Sequence, residues 1–449
     1  METTKTFLDG RVTLHCGDCV AVLATLDPDS IDSIVCDPPY GLEFMGKEWD
    51  GADGFRRSLN EADAGRDSVF GRTSRKSPEY RASNAMQMWC GVWARECLRV
   101  LKPGGFMLAF SSTRTQHRMV CAIEDAGFEV RDQIGWAYGS GMNKVGYIRG
   151  ADGEHIVDGW GGSLKPAWEP ICVARKPVVG TVAENMRRHG TGALNIDGCR
   201  VDSEMGRPLL ELDAKPTDSN VYAGRMGDGG LGRGLDGGSK AVGTTDLGRW
   251  PANLIHDGSD EVVACFPDSK GQQGDVKGSE PSRTGDENTV TYGKFNNRVP
   301  AKARRDGEAS ANRRYAESGG TNFAALPGMR RGDGASAARF FYSSKADADD
   351  RLGSKHPTVK PIDLMQYLVR LVTPKGGVVL DPFAGTGTTG EAAWREGMNA
   401  VLIEREPEYQ ADIGRRMELA CNPTKRAAVA KSKNNLASAE DLPLFAREE

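Results

Sequence analysis

The sequence predicts an α/β fold, a mostly parallel sheet with helices on both faces, and three observations predict it. Short apolar runs alternate with segments of helical period from Arg11 to Lys176. The alternation returns after residue 336, where strand, glycine-rich turn, helix and strand follow one another. The chain has 449 residues, 39% of them hydrophobic, which is enough for a sizeable core. Strands that alternate with helices favour parallel pairing, because each crossover helix returns the chain to the same edge. Length alone suggests about three domains.

Taken in order, RVTLHCGD reads as a strand, AVLATL as a short helix and DSIVCD as a buried strand. MQMWCGVWARECLRVLK carries apolar residues at helical spacing, and LKPGG is expected to close that helix with its proline and glycines. GFMLAFSS is a further strand, HRMVCAIEDAGF a helix and VRDQIGWAY a strand. From about Pro177 to Ala335 the texture is lost. Glycine and charge dominate there, and only islands such as GRWPANLIHD and EVVACFPD look ordered, so a loop-rich insertion is expected. HPTVKPIDLMQYLVRLV then predicts a helix starting just after Pro361. Residues past Cys421 are expected to form a mobile tail.

Composition excludes several classes. Net charge is -4, with Lys+Arg 58 against Asp+Glu 62, so any basic surface must be local. METTKTFLDGRV lacks the apolar core of a signal peptide and no stretch approaches a membrane span, so a cytoplasmic location is expected. The 10 cysteines show no framework spacing. Cys16 and Cys19 form one CxxC without a second to complete a zinc site, so reduced thiols and no metal are expected. His189 and His256 read as structural.

Two stretches carry chemistry. The first, CDPPYG, leaves a buried strand and sets Asp37, Pro38, Pro39 and Tyr40 in succession. Each proline fixes φ and removes a donor, so the Asp37 and Pro38 carbonyls stay outside any regular element. The residue types suggest a stiff ledge of acceptors beside an aromatic face, and an ordinary strand-ending turn is the plainer alternative. The second is GTGTTG, in which Gly385, Gly387 and Gly390 lie between the strand VVLD and a helix. The next strand ends at Glu404, about 20 residues on, where an acid meets ribose hydroxyls. An adenosine-type cofactor follows, either NAD or S-adenosylmethionine. Asp381, ahead of Pro382 and Phe383, distinguishes the two: it would pair with an ammonium and repel a pyrophosphate.

With DPPY ahead of DPFAGTGTT, HPTVKP upstream of the latter, GDC before DPPY and KPAWEPICVARKP before the insertion, the sequence resembles the amino-group DNA methyltransferases that depend on S-adenosylmethionine, in their β-class order. The resemblance implies a Rossmann-like, seven-stranded sheet built discontinuously from residues 10–177 and 336–421. It makes 178–335 a target-recognition insertion and 422–449 a flexible tail. Carried over by position, Asp381, Phe383, Gly385 and Gly387 would line the methionine end of S-adenosylmethionine. Glu404 would bind its ribose, and Asp18 would lie near its adenine. Thr358 would hydrogen-bond it, with Lys360 and Pro361 beside the loop.

Asp37, Pro38, Pro39 and Tyr40 would form the catalytic ledge. An exocyclic amine is a poor nucleophile because its lone pair is delocalised. Two acceptors, Asp37 and the Pro38 carbonyl, would take its hydrogens and free that pair for in-line attack on the sulfonium methyl. Tyr40 would stack on a base extruded from double-stranded DNA. No metal and no base of shifted pKa is required. The leading Asp leans toward adenine N6, with cytosine N4 the alternative. An NAD-dependent dehydrogenase would leave DPPY and HPTVKP unexplained, and intact Asp37, Tyr40, Asp381 and Glu404 speak against a catalytically dead DNA-binding module.

Within the insertion, the pairs Arg304–Arg305, Arg313–Arg314 and Arg330–Arg331 interleave with Tyr315 and Phe323, as phosphate and base contacts do, although solvated loop is the plain reading of any one pair. The arginine-rich stretch from Glu48 to Arg81 would close over DNA near the flipped base. No nuclease motif accompanies them, so a solitary modification enzyme is expected ahead of a fused restriction enzyme. At the C-terminus, DLPLF resembles the pentapeptide by which bacterial proteins dock on the replication sliding clamp, with Leu442, Leu444 and Phe445 as its apolar anchors and Asp441 where that motif carries Gln.

Overall fold

The computed structural model describes residues 3–41, 78–141, 147–148, 154, 157, 160–201, 207–212, 239–245, 248–269, 335–344, 348–354, 356 and 358–434. Two compact units emerge. The larger comprises Met1–Cys199, Pro251–Cys265 and Phe341–Glu449, and the smaller Arg200–Trp250 with Phe266–Phe340. The stretch 48–77, the three arginine pairs with Tyr315 and Phe323, and the DLPLF tail lie outside the described residues.

In chain order the elements begin with β1 (Thr3–Phe7), β2 (Val12–Cys16), α1 (Cys19–Leu23) and β3 (Ile31–Cys36). There follow α2 (Pro78–Val100), β4 (Leu101–Phe110), α3 (Gln116–Asp125), β5 (Glu129–Ala137), β6 (Trp168–Arg175) and α4 (Val182–His189). The smaller unit contributes β7 (Arg207–Leu212) and β8 (Ser239–Thr245), an antiparallel pair. The larger unit resumes with β9 (Leu254–His256) and α5 (Asp260–Ala264). In the smaller unit β10 (Asp268–Ser269) pairs antiparallel with β11 (Ala335–Ser336). The chain then forms β12 (Tyr342–Ser343), α6 (Ile362–Val372), β13 (Val378–Asp381), α7 (Thr388–Arg395), β14 (Asn399–Glu404), α8 (Pro407–Ala420) and α9 (Pro423–Asn434).

The larger unit is built on one sheet of 10 strands in the order β1-β2-β14-β13-β3-β4-β6-β5-β9-β12. The expected seven strands are therefore too few. The run from β2 to β5 supplies them, and β1 at one edge with β9 and β12 at the other extend it. Neighbours from β2 through β4 are parallel, β6 is antiparallel to both β4 and β5, and β9 continues parallel to β5. β3 is buried along its whole length. Its residues alternate between two cores: Val35 joins the face covered by α6, α7 and α8, while Ile34 and Cys36 join the face covered by α1, α2 and α3. That period of two, with both sides apolar, is the signature of a central strand.

Four further sequence expectations need correction. LKPGG does not end a helix in a loop but begins β4. The chain advances from Leu101 to Phe106 while β3 advances from Ile31 to Ser33, so Pro103 rides out in a bulge, and the Gly104 N–H donates to the Lys176 carbonyl at 3.1 Å. Residues 178–199 and 251–265, placed in the insertion by composition, fold with the sheet. Buried Asn185 on α4 donates to the Pro103 carbonyl at 2.8 Å, and Leu254 of β9 pairs with Gly135 of β5. Residues 336–340 fall in the smaller unit, and the sheet-bearing unit resumes only at Phe341. The start of the expected mobile tail is α9. Asn422 accepts from the Lys425 N–H at 2.9 Å, and Arg426 reaches back to Glu391 at 2.5 Å. Among the described residues no helix is long and apolar enough to cross a membrane.

Arg426 joins a buried charge cluster beneath the glycine turn. Glu391 is 0% exposed and accepts from Arg416 at 2.9 Å, and the Arg416 side chain, 2% exposed, donates to the Thr386 carbonyl at 2.8 Å. Removing one partner of such a pair leaves an uncompensated buried charge. Glu391→Ala is therefore expected to lower unfolding free energy by about 3–5 kcal/mol in urea titrations. A loss under about 1 kcal/mol would show that Glu391 is not what compensates the buried Arg416 guanidinium.

Candidate active site

Where β13 and β3 lie side by side, the chain leaves them in opposite directions across the sheet: β13 proceeds through α7 to β14, β3 through α2 to β4. A crevice opens at the carboxyl ends of strands that part in this way. Here it is a cleft of about 520 Å³, in the range of small-molecule sites. It is lined by Asp37, Pro38, Pro39 and Tyr40 from one strand end and Asp381 and Phe383 from the other. Asp18, Thr358, Lys360, Gly385 and Glu404 also line it. Of the residues singled out in the two motifs and beside them, Gly387, Gly390 and Pro361 do not. Gly387 holds the left-handed backbone (φ 78) that starts α7, and Pro361 starts α6.

On the β13 side the backbone is tightly tied. Asp381 accepts from the Phe383 N–H at 3.0 Å and from the Thr389 hydroxyl. The Phe383 ring packs at 5.6 Å from Trp89 and 5.4 Å from Trp93 on α2. Gly385 has φ 52, and a Cβ there would lie 3.3 Å from His356 Nε2, so the position suits glycine on both counts. Its N–H donates to Glu404 Oε2 at 2.7 Å, while Glu406 N–H donates to Oε1 at 2.8 Å. Asp18 caps α1, accepting from the N–H groups of Val20 and Ala21. Burial pushes both the Asp381 and the Glu404 carboxyl up to about 7, against the lowering effect of those hydrogen bonds.

On the β3 side, Tyr40 hydroxyl donates to Asp37 Oδ1 at 2.6 Å, and Lys360 pairs with Asp37 Oδ2 at 2.9 Å. The structure thus sets Lys360 against the DPPY turn. Its ammonium also donates to Glu169 Oε2 at 2.9 Å and to the Tyr40 oxygen at 3.1 Å, over the Phe110 ring at 4.7 Å. Burial alone would lower the Lys360 ammonium, but Asp37 and Glu169 together hold it above the ordinary lysine range. Burial, reinforced by the same carboxylates, drives the Tyr40 phenol well up. Burial and Glu169 push Tyr138 up to about 12.

Sequence reasoning missed Glu169, Tyr138, His356 and Tyr409, all of which line the cleft. Glu169 lay inside the quoted KPAWEP, where an acid at the start of the apolar strand WEPICVAR was the available signal. His356 lay in HPTVKP. Its ring sits 4.4 Å from Tyr409, and burial lowers its pKa. The cleft as a whole can hold a cation beside Asp381, hydroxyls beside Glu404, and a donor group beside Asp37.

A family model for DNA methylases of the N6/N4 type matches residues 31–208 and 261–415. The type II methyltransferase M.HindIII of Haemophilus influenzae is 29% identical over 204 residues, which is 40% of this chain and 64% of that protein. M2.DpnII of Streptococcus pneumoniae, also a type II methyltransferase, is 39% identical over 69 residues, 15% of this chain and 26% of its own. The chain therefore spans less than two thirds of either relative. Among solved structures, the cytosine-N4-specific PvuII DNA methyltransferase superposes over 96% of this chain and 94% of its own, with TM-score 0.42 and 14% identity. A DNA modification methylase of Thermus thermophilus, described as putative and complexed with S-adenosyl-L-methionine, covers 91% of this chain and 95% of its own, with TM-score 0.37 and 17% identity.

The raised carboxyls link stability to pH. A carboxyl lifted from its ordinary value of 3.8 to about 7, as for Asp381, stabilises the folded state fully below the lower value and ceases to as pH rises through the upper one. Asp381→Asn removes this dependence. Its stability relative to wild type is expected to improve from pH 5 to pH 8, by about 1.4 kcal/mol for each pH unit crossed before the folded carboxyl titrates. Urea midpoints at the two pH values measure the difference, and a constant offset would count against a buried, unpaired carboxylate.

Proposed function

The chain belongs to the N6/N4 DNA methylase family, and from that premise we propose that it transfers a methyl group from S-adenosylmethionine to the exocyclic N6 amine of adenine at a specific site in double-stranded DNA. One observation carries the reading: Asp37 and Tyr40 at the end of β3 share a cleft with Asp381, Gly385 and Glu404 at the ends of β13 and β14. S-adenosylmethionine supplies an electrophilic sulfonium methyl. The residues present fit it. Asp381, a buried carboxylate with no cation partner among the described residues, suits the methionine ammonium and would repel the pyrophosphate of NAD. Glu404 presents acceptors to ribose hydroxyls, and the positive φ of Gly385 lets the loop backbone come close.

The protein's own part is to bind and orient the base. Asp37 and the Pro38 carbonyl accept the two amine hydrogens and draw the nitrogen toward tetrahedral geometry. The adjoining prolines keep these acceptors aimed before the base arrives, which lowers the reorganisation needed in the transition state. Tyr40 offers its ring to a base turned out of the helix, since the amine is out of reach within a duplex. Asp as the first residue of DPPY supports adenine, and a cytosine N4 amine would meet the same acceptors. Sequence-specific reading falls to the smaller unit with its flanking arginines, and such an enzyme works in the cytoplasm, where bacterial DNA lies. Its C-terminal Leu442, Leu444 and Phe445 extend the proposal to a replication sliding clamp.

Nucleoside mass spectrometry of DNA from cells expressing the protein is expected to find N6-methyladenine; N4-methylcytosine alone would reverse the base assignment. In the same assay Asp37→Ala should abolish methylation with cofactor Kd unchanged, whereas Glu404→Ala should weaken cofactor binding by ~1.5–3 kcal/mol. Turnover above a few per cent in the first variant, or an unchanged Kd in the second, would displace that residue from its role. For the tail, a peptide of the last ten residues is expected to bind purified bacterial clamp at micromolar concentration and to lose binding on Leu444→Ala with Phe445→Ala. Binding that survives both changes would sink the clamp proposal.

A further inference from the structure

Lys360 faces two carboxylates, and the count of charges matters. All three of its N–H groups are committed, to Asp37 at 2.9 Å, to Glu169 at 2.9 Å and to the Tyr40 oxygen at 3.1 Å. The lysine side chain is 8% exposed, against 22% for Asp37 and 20% for Glu169, so water reaches the carboxylates far more than the cation. Were Asp37 and Lys360 alone, they would form a neutral pair, and the charge of Asp37 would be turned inward. Glu169 adds a second carboxylate to the same ammonium, and two carboxylates with one ammonium leave one negative charge over. Methyl transfer needs that surplus, because the amine nitrogen becomes positive as its lone pair is donated, and fixed opposite charge beside it stabilises the transition state.

We propose that Glu169 is the counter-charge of Lys360, the positioning residue that leaves the Asp37 carboxylate free to act on the substrate amine; this rests on the role given to Asp37 above. The Tyr40 hydroxyl supports it independently. Its single proton has two acceptors, Asp37 Oδ1 at 2.6 Å and Glu169 Oε2 at 3.3 Å. Turning that hydrogen toward Glu169 vacates Asp37 Oδ1 for the incoming amine without moving a heavy atom. Glu169 therefore offers both of the donors that sit on Asp37, Lys360 and Tyr40, a second acceptor. Neither contact involves the glycine loop, so the effect falls on the substrate half of the cleft.

The test is a charge cycle on the full chain: Glu169→Gln, Glu169→Asp, Lys360→Met, and Lys360→Met combined with Glu169→Gln. Single-turnover methylation is followed on unmethylated bacterial chromosomal DNA, and calorimetry gives Kd for S-adenosylmethionine and for its neutral thioether product. Glu169→Gln is expected to slow methyl transfer about 100-fold. Glu169→Asp, which keeps the charge, should stay within about tenfold of wild type, and the double variant should run at least about tenfold faster than Glu169→Gln. Kd for S-adenosylmethionine and for the thioether should stay within about twofold of wild type in Glu169→Gln, because the effect falls on the substrate half; a loss of cofactor affinity that matches the loss of rate overturns the proposal. A rate for Glu169→Gln within threefold of wild type, or a double variant no faster than it, overturns the counter-charge role. If wild type binds S-adenosylmethionine but methylates no DNA, the functional reading fails instead. The counter-charge role, which rests on that reading, then falls with it.

Discussion

The parallel pairing of β13 with β3 is the constraint on which the rest depends. Val379 and Leu380 lie against Ser33 and Ile34, and Val378 N–H donates to Asp32 Oδ2 at 2.8 Å across 346 residues of chain. Ser33 hydroxyl meets the Thr373 hydroxyl at 2.7 Å in the same buried seam. No crossover spans the carboxyl ends of these two strands, because their helices depart to opposite sides. The cleft is thus a consequence of topology before it is a consequence of side chains. An acid stands at the end of each strand. Asp381 is the last residue of β13 and Asp37 the first beyond β3, and both line the cleft.

The larger unit holds its buried charges in two ways. Around Glu391 the carboxylate has cations in excess: Arg395, Arg416 and Arg426 converge on it, and Arg416 also donates to the carbonyls of Thr386 and Asp350. That cluster fixes the turn from which α7 starts. Asp381 and Glu404 have backbone N–H groups and a hydroxyl for partners and, among the described residues, no cation, and burial lifts both toward neutrality. Such groups destabilise the empty fold at neutral pH. They persist where a ligand brings the missing positive charge or hydroxyl donors. The stable cluster and the strained pair are neighbours because the first must hold the frame in which the second is tolerated.

What the sequence disclosed follows from how local each signal is. The unit from β13 to β14 was legible because strand, glycines and helix are consecutive, and each residue's role depends on its immediate neighbours. DPPY was legible for the same reason. LKPGG misled because proline and glycine signal a break only when pairing does not override them, and β3 supplies a partner that tolerates a bulge. β9 and β12 are three and two residues long, too short to show a period, and they add to the sheet only because β5 leaves an edge to extend. α9 looked like tail because its anchor, Glu391, lies on another helix. Lys360 could be placed near the site from its motif, but not its direction. Its partner Glu169 is 191 residues away in sequence, and no local pattern records such a contact.

These differences give the two halves of the cleft opposite characters. On the β13 side the loop is fixed by covalent geometry and by backbone donors that each serve one carboxylate: Gly385 N–H to Glu404 and Phe383 N–H to Asp381. A ligand bound there finds its contacts already made. On the β3 side the prolines fix the backbone, but the polar side chains share donors among alternatives, with one hydroxyl proton between Asp37 and Glu169 and one ammonium between both. A base amine arriving at Asp37 can displace a donor that has somewhere else to go. The exchange then costs little, because no buried polar group is left unpaired during it. Under the proposed roles, a rigid cofactor half and an exchangeable substrate half would suit a reaction in which one partner stays seated while the other must enter, react and leave.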